Sequence, residues 1–233
     1  MDAHKIKYIN GIKNLRIIIN EACNFNCIFC HGEGYYHCSY FRRDSTSAFS
    51  ASPQKKEKTF LTPEEVKLIG KAARIMGIES VKITGGEPLI HPKIIEIISI
   101  LKNLRFRDVS LVTNGTYLED LAKDLAEAGL DRVNISLVSL RKEVFEKVTR
   151  SKNSFGKVLR GIDAAIKAGL NPVKINVVIL KGINEDEIFD FIEFGRKKRV
   201  IIQFIEYHAP KNNKFLLNIY HAPLEWLEEE LKK

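Results

Sequence analysis

The chain has 233 residues, 45% of them hydrophobic, and a formal net charge of +8 at pH 7. This is enough for one sizeable core, so we interpret residues 1–233 as a single domain. No stretch of eighteen apolar residues and no signal-peptide pattern is present, so we expect a soluble, cytoplasmic protein with no membrane partner. The positive charge suits an anionic small ligand, whereas its spread along helical faces disfavours nucleic acid as a partner.

Short β-branched runs alternate with amphipathic stretches, which is typical of repeated βα units and a parallel sheet. The predicted strands are residues 15–19, 80–84, 108–113, 132–137, 173–180 and 200–206. The predicted helices are residues 63–76, 92–104, 118–128, 142–149, 154–168 and 185–198. Thr62 is the expected N-cap of the first helix, because a proline and two acids follow it. Gly77, Gly129 and Gly169 are each expected to end a helix.

Two segments lie outside this alternation. Residues 35–60 show neither the helix nor the strand period, and a loop of this length inside a domain is usually functional or disordered. Because this segment directly follows a cluster of cysteines, we expect a partly mobile cover over a site. Residues 209–233 follow the last predicted strand and are interpreted as a short C-terminal extension.

Three cysteines, Cys23, Cys27 and Cys30, follow the first predicted strand at a C-x3-C-x2-C spacing. Thiolates this close together favour a metal centre in a reducing compartment over a disulfide framework. Two kinds of centre remain open. In a zinc knuckle, His31 or Cys38 completes the ligand set. In a [4Fe–4S] cluster without a fourth protein ligand, one iron is left open to a group that is not protein.

Polar residues also follow the ends of the other predicted strands. After the second, third and sixth strands these are Thr84-Gly85-Gly86-Glu87-Pro88, Thr113-Asn114-Gly115 and Glu206-Tyr207-His208, while the fourth strand itself contains Asn134 and Ser136 and the fifth carries Lys174 and Asn176. In βα barrels the site forms at the carboxyl ends of the strands, so we expect one composite pocket. The two glycines allow the backbone to approach a ligand, Glu87 adds an acceptor, and Pro88 stiffens the turn.

The cysteine spacing followed by Gly-Gly-Glu-Pro resembles the radical S-adenosylmethionine (SAM) superfamily. In that superfamily, three cysteines hold three irons of a [4Fe–4S] cluster, and SAM chelates the fourth iron. An electron from the reduced cluster cleaves SAM to methionine and a 5′-deoxyadenosyl radical, which abstracts hydrogen from a substrate. The resemblance implies an α/β fold, a partial (β/α)6 barrel, in agreement with the six βα units expected from the residues.

The chain is further similar to the molybdenum-cofactor enzyme A family, the GTP 3′,8-cyclases. The similar segments are residues 15–17, 30–34, 82–88, 128–137, 173–178 and 204–206. This resemblance implies that the cluster ligands are Cys23, Cys27 and Cys30. The implied SAM-binding residues are Phe29, Gly85, Gly86, Glu87, Ser136 and His208. The implied substrate-binding residues are Arg16, Lys82 and Lys174, whose positive charges suit a triphosphate.

Several positions depart from the family. Val112 stands in place of a threonine that contacts the nucleotide, and Val138 in place of an aspartate. His208 corresponds to a methionine that packs on SAM, so it stacks on adenine or has another role. The chain has no cysteine after Cys38, so we expect that the family's second, purine-binding cluster is not formed here.

Three functions follow from these features, in order of preference. The first is a radical SAM enzyme that acts on a different, anionic small-molecule substrate and receives its electron from a separate donor. The second is a GTP 3′,8-cyclase-type enzyme whose second cluster comes from a partner chain, which covers the open side of the barrel. The third is a non-catalytic module that binds SAM or the cluster. The sequence does not identify a catalytic residue.

Overall fold

A computed structural model of the chain describes residues 13–30, 60–208 and 214–230. The strands and helices are β1 (Asn14–Ile18), α1 (Pro63–Ile75), β2 (Ser80–Thr84), α2 (Ile94–Asn103), β3 (Asp108–Thr113), α3 (Leu118–Glu127), β4 (Arg132–Ser136), α4 (Lys142–Thr149), α5 (Phe155–Lys167), β5 (Val173–Ile179), α6 (Ile188–Lys198), β6 (Ile201–Glu206), α7 (Lys214–Tyr220) and α8 (Glu225–Glu230). Short 3-10 turns, Pro88–Ile90 and Glu185–Glu187, precede α2 and α6. Within these described ranges, no helix has the length and apolar character needed to cross a bilayer.

The six strands form one sheet in the order β1-β2-β3-β4-β5-β6. The registers of β1 with β2, β2 with β3, β4 with β5 and β5 with β6 are all parallel. Parallel neighbours need a crossover between them, and α1 to α6 lie in these crossovers. The expected α/β fold of repeated βα units is therefore confirmed.

The helix boundaries follow from local capping. Thr62 Oγ1 accepts from Glu65 N at 3.3 Å, and the Glu65 carboxylate accepts from Thr62 N at 2.8 Å, which together form a capping box. Gly77, Gly129 and Gly169 have φ values of 81°, 99° and 80° directly after helices, where glycine adopts the left-handed conformation without steric cost. The predicted start of α1 and the three predicted helix ends are confirmed.

The structure also differs from the expectation in several places. α2 begins at Ile94 rather than at residue 92, because Lys93 N donates to the His91 side chain in a local turn instead. The predicted helix 185–198 begins as a 3-10 turn. The C-terminal extension contains α7 and α8, two short helices that were not predicted. Of the predicted loop, only Phe60 is described; the remaining cover, together with His31 and Cys38, lies outside the described residues.

The chain divides into two compact units, and each buries its own apolar residues. The first unit comprises the described residues within Met1–Asn24, Gly32–Val112 and Lys123–Arg132. Its core includes Ile17, Val81, Ile83, Ile97, Leu101 and Val109. The second unit comprises the described residues within Phe25–His31, Thr113–Ala122 and Val133–Lys233. Its core includes Ile135, Phe145, Val158, Ile162, Ile175 and Val177.

Candidate functional site

In the first unit, the chain leaving β1 is hydrogen-bonded to the Gly-Gly-Glu turn that follows β2. Gly86 N donates to Asn20 O at 2.9 Å. Glu87 N donates to Ala22 O at 2.7 Å. The Asn20 side chain, only 2% exposed, donates from Nδ2 to Glu87 O at 2.9 Å. These three bonds fix the backbone immediately before Cys23.

The two glycines of this turn are needed because the chain packs against itself there. A Cβ on Gly86 would lie 2.6 Å from Glu21 O and would also overlap Ala22 O. A Cβ on Gly85 would lie 2.7 Å from Asn20 O. The sequence predicts that the two glycines allow a ligand to approach the backbone, and the structure shows that they allow the backbone of residues 20–22 to approach. The glycines therefore position the start of residues 20–30, which we call the cysteine segment, and a SAM contact at Gly85 and Gly86 stays a prediction.

Glu87 is buried, with 1% of the residue exposed. Its Oε1 accepts a hydrogen bond from Leu89 N at 3.0 Å, and this bond caps the 3-10 turn that begins at Pro88. The predicted acceptor thus has a structural role in shaping the turn. A contact between Glu87 and SAM stays a prediction.

Arg16 and Lys82, both predicted to bind the substrate, are register partners on β1 and β2. Paired residues on adjacent strands project from the same face of the sheet. Lys82 is in turn paired with Ser110 on β3. Ile17 and Ile83, on the opposite face, are buried in the core. The register thus brings two predicted cations together on one face.

In the second unit, the rest of the cysteine segment is attached to the end of α4. Asn26 N donates to Thr149 O at 3.1 Å, and Ile28 N donates to Val148 O at 3.0 Å. These carbonyls are among the last four of a helix, which have no partner within the helix. The Phe25 ring packs edge-on against Phe145, with 6.0 Å between ring centroids. Helix α4 is therefore the support for this part of the segment.

The predicted metal-binding and SAM-binding residues of this segment differ in how much of each side chain is exposed to solvent. Cys27 and Phe29 are half-buried, and Cys30 is exposed. Cys30 N donates to Cys27 O at 3.1 Å in a tight turn. Cys23, Cys27 and Cys30 do not form disulfides with one another.

Four polar side chains occupy two rows on the same face of β4 and β5. Asn134 is paired with Lys174, and Ser136 is paired with Asn176. Asn134 is only 4% exposed, and its Oδ1 atom has no hydrogen-bond partner in the described part of the chain. The Oδ1 atom of Asn176 is likewise buried and has no partner there. A buried acceptor without a donor is costly, so these oxygens suit a ligand that brings hydrogen-bond donors.

The predicted residue His208 follows β6 and is exposed. Glu206, two residues earlier, accepts from His221 Nε2 at 2.6 Å and from Leu224 N at 3.3 Å. The hydrogen bond from His221 lowers the pKa of Glu206, and the hydrogen bond from Leu224 N acts in the same direction. The β6 end therefore anchors the C-terminal segment, while a role of His208 in binding adenine stays a prediction.

Across residues 13–30, 60–208 and 214–230, no group of three or more His, Cys, Asp and Glu side chains has a metal-binding arrangement. The cysteine ligand set therefore stays a prediction from the spacing and the resemblance. A cavity of about 240 Å³ in the second unit has none of the predicted site residues in its lining, which includes Ile179, Glu185 and Trp226.

Sequence reasoning missed three residues that shape the site, namely Asn20, Asn184 and Glu187. Asn20 is not among the residues predicted from the sequence, although an asparagine amide can both donate and accept hydrogen bonds. Glu187 is predicted only as part of the helix at residues 185–198 and Asn184 is not predicted to have a role, whereas both side chains hydrogen-bond to the loop after β4.

Comparison with known proteins identifies relatives over most of the chain. A family model described as the Radical SAM superfamily matches residues 17–195. A probable GTP 3′,8-cyclase from Methanothermobacter marburgensis is 41% identical over 184 residues, which is 79% of this chain and 54% of the relative. A probable GTP 3′,8-cyclase from Thermococcus kodakarensis is 41% identical over 224 residues, which is 95% of this chain and 66% of the relative. The chain thus spans about half to two thirds of the curated relatives it matches.

Among solved structures, Streptococcus suis SuiB bound to S-adenosylmethionine is similar with a TM-score of 0.71. The similarity covers 95% of this chain and 47% of SuiB, at 16% sequence identity. At this identity the likeness concerns the fold alone. It agrees with the expected partial (β/α)6 barrel of the radical SAM type.

Proposed function

This chain belongs to the radical SAM superfamily, and on that premise we propose that it cleaves SAM reductively and acts on an anionic substrate. The cofactors of the superfamily are a [4Fe–4S] cluster and SAM. When bound, the reduced cluster supplies the electron that cleaves SAM to methionine and a 5′-deoxyadenosyl radical. The observation that carries the proposal is that backbone hydrogen bonds hold the cysteine segment at Asn20–Ala22 and at Asn26–Ile28.

The proposed cluster ligands are Cys23, Cys27 and Cys30. Two features support this assignment. The three cysteines have the C-x3-C-x2-C spacing of the superfamily, and the amides of Asn26 and Ile28, on either side of Cys27, are both hydrogen-bonded to α4. A loop fixed in this way loses less conformational entropy when it binds a cluster than a mobile loop does. The segment is thus suited to metal ligation.

The proposed SAM-binding residues are Phe29, Gly85, Gly86, Glu87, Ser136 and His208. We add Asn134 and Asn176, whose buried Oδ1 atoms have no donor in the described part of the chain. SAM carries an ammonium group, two ribose hydroxyls and an adenine amine, all of which donate hydrogen bonds. Ser136 is paired with Asn176, so a ligand that reaches one of them is close to the other. The residues present therefore fit SAM.

For the substrate, we propose Arg16, Lys82 and Lys174 as binding residues. Arg16 and Lys82 are paired on one face of the sheet, and two adjacent cations favour an anion such as a phosphate. Lys174 is half-buried on β5, beside Asn134. A half-buried ammonium group gains more from an anionic ligand than an exposed one, because solvent screens it less. The substrate class is therefore anionic.

A second candidate function is GTP 3′,8-cyclization with the help of a partner chain. The observation that favours it is the 41% identity to relatives named probable GTP 3′,8-cyclases. Val112 and Val138, which replace polar residues of that family, count against unchanged GTP chemistry. Both candidates need an external electron donor.

The first experiment is anaerobic reconstitution with iron and sulfide, followed by a SAM-cleavage assay with dithionite. We expect four irons and four sulfides per chain and formation of 5′-deoxyadenosine. Cys27→Ala should abolish the product, whereas Cys38→Ala is the matched control and should retain it. Bound zinc without sulfide would refute the proposal, and a cluster without SAM cleavage would indicate the non-catalytic module.

The same assay separates the two enzymatic candidates when GTP is added. If the isolated chain consumes GTP in step with 5′-deoxyadenosine formation, the cyclase is correct and our preference for a different substrate is wrong. If GTP leaves the product yield unchanged, the different-substrate proposal stands.

A further inference from the structure

The loop after β4 is held by a buried carboxylate from a distant part of the chain. Glu187, only 2% exposed, accepts from Ser139 Oγ at 2.7 Å and from Leu140 N at 2.7 Å. Arg141 Nε donates to the same carboxylate at 3.1 Å. Three successive residues, separated from Glu187 by more than forty positions, thus converge on one side chain.

Neighbouring contacts strengthen this attachment. Asn184 is buried, and its Nδ2 donates to Val138 O at 2.5 Å and to Val178 O at 2.9 Å. Its Oδ1 accepts from Leu180 N at 2.8 Å. Arg141 also donates to Asp186 at 2.8 Å, but Asp186 has a side chain 63% exposed. The buried contacts of Asn184 and Glu187 therefore carry the attachment, and the exposed ion pair adds little.

Helix α4 connects this attachment to the cysteine segment. It begins at Lys142, directly after Arg141, and its last two residues, Val148 and Thr149, hold the amides of Ile28 and Asn26. A helix transmits a displacement along its axis because its backbone hydrogen bonds make it stiff. The eight residues of α4 thus link Glu187 at one end to the residues around Cys27 at the other.

We propose that Glu187 is a positioning residue for the Phe25–Ile28 part of the cysteine segment, acting through α4. Glu187 fixes the residues that begin α4, and the end of α4 fixes the backbone on both sides of Cys27. The importance of residues 25–28 for binding a cluster rests on the proposed function. The connection from Glu187 through α4 to these residues does not depend on that function.

The link is tested first in the full chain without a cluster, by amide hydrogen exchange. Glu187→Ala should raise the exchange of Asn26 and Ile28 by about tenfold or more, because local opening no longer has to break the buried hydrogen bonds. Exchange at Ile83 in β2 should change much less. Glu187→Gln keeps the shape and some hydrogen bonds, so it should give a smaller rise and serves if the alanine variant does not fold.

Asp186→Asn is the matched control, because it removes an exposed partner of the same Arg141. It should leave exchange at Asn26 and Ile28 within about twofold of wild type. If Glu187→Ala and Glu187→Gln both leave these amides unchanged, the proposal is overturned. It is also overturned if exchange rises equally at Ile83, since that pattern indicates global destabilisation rather than positioning.

The consequence for function is measured in the reconstituted protein. Glu187→Gln should broaden the EPR signal of the reduced cluster and weaken SAM binding about tenfold, with the iron content retained. Unchanged SAM affinity and EPR signal, with altered exchange, would overturn the functional part of the proposal. If wild type assembles no cluster, the proposed function fails, and the exchange result still decides the link through α4.

Discussion

A methyl group added at Gly86 should disturb the contact between the cysteine segment and the turn after β2. In Gly86→Ala, the new Cβ would lie 2.6 Å from Glu21 O and would overlap Ala22 O. These are backbone atoms, so no side chain can rotate to make room. Since ordinary contact begins near 3.4 Å, Glu21 O must move by about 0.8 Å.

The cost can be worked out from the bonds that this movement breaks. Two hydrogen bonds join the turn after β2 to the displaced backbone. Gly86 N donates to Asn20 O at 2.9 Å, and Glu87 N donates to Ala22 O at 2.7 Å. Each bond contributes about 0.5–1.5 kcal/mol, and overpacking costs about 1–3 kcal/mol more. We therefore expect the free energy of unfolding to fall by about 2–6 kcal/mol.

Urea unfolding of the cluster-free chain measures this loss, and Gly156→Ala is the control. Gly156 lies in α5, where a Cβ would meet only Arg160 Nη1 at 3.4 Å. Alanine there should leave the stability unchanged or raise it by up to ~1 kcal/mol. If Gly86→Ala lowers the stability by less than ~1 kcal/mol, the close backbone approach is not what requires the glycine.

Three further results are expected. Asn176→Leu removes a buried acceptor that has no donor, so the cluster-free chain should be equally stable or more stable in urea. The same substitution should weaken SAM binding about tenfold. Lower stability together with unchanged SAM affinity would contradict this prediction. Lys174→Met should leave substrate-free SAM cleavage unchanged, whereas loss of that cleavage would place Lys174 at SAM instead. Because the pKa of Glu206 is lowered in the folded chain, its stabilising contribution is present above its ordinary value of 4.5 and is lost as pH falls through the lowered pKa. His221→Ala removes the main cause of the lowered pKa, so in pH-dependent urea unfolding the fall in stability below pH 4.5 should be smaller than in wild type.

The fold was largely predictable because its signals are local. β2, β3 and α4 have the bounds that the hydrophobic pattern predicts, and the Thr62 capping box marks the start of α1. The helices α7 and α8 have only seven and six residues, too few for an amphipathic period to stand out.

The site was less predictable because its contacts are distant in sequence. The two glycines after β2 were recognised from the sequence. The atoms that a Cβ at either position would overlap belong to residues 20–22, which are more than sixty positions away in the chain. The carboxylate of Glu187 gains its role only from Ser139, Leu140 and Arg141. Such contacts depend on which loops the sheet places side by side, and a single sequence carries no periodic signal for them.

The central claim is that the cysteine segment holds a cluster with one iron open to SAM. The most direct measurement is the EPR spectrum of the dithionite-reduced, reconstituted chain before and after SAM is added. We predict a [4Fe–4S]⁺ signal whose g-values shift on addition of SAM and which is absent in Cys27→Ala. A cluster signal that SAM leaves unchanged at saturating concentration would contradict the claim.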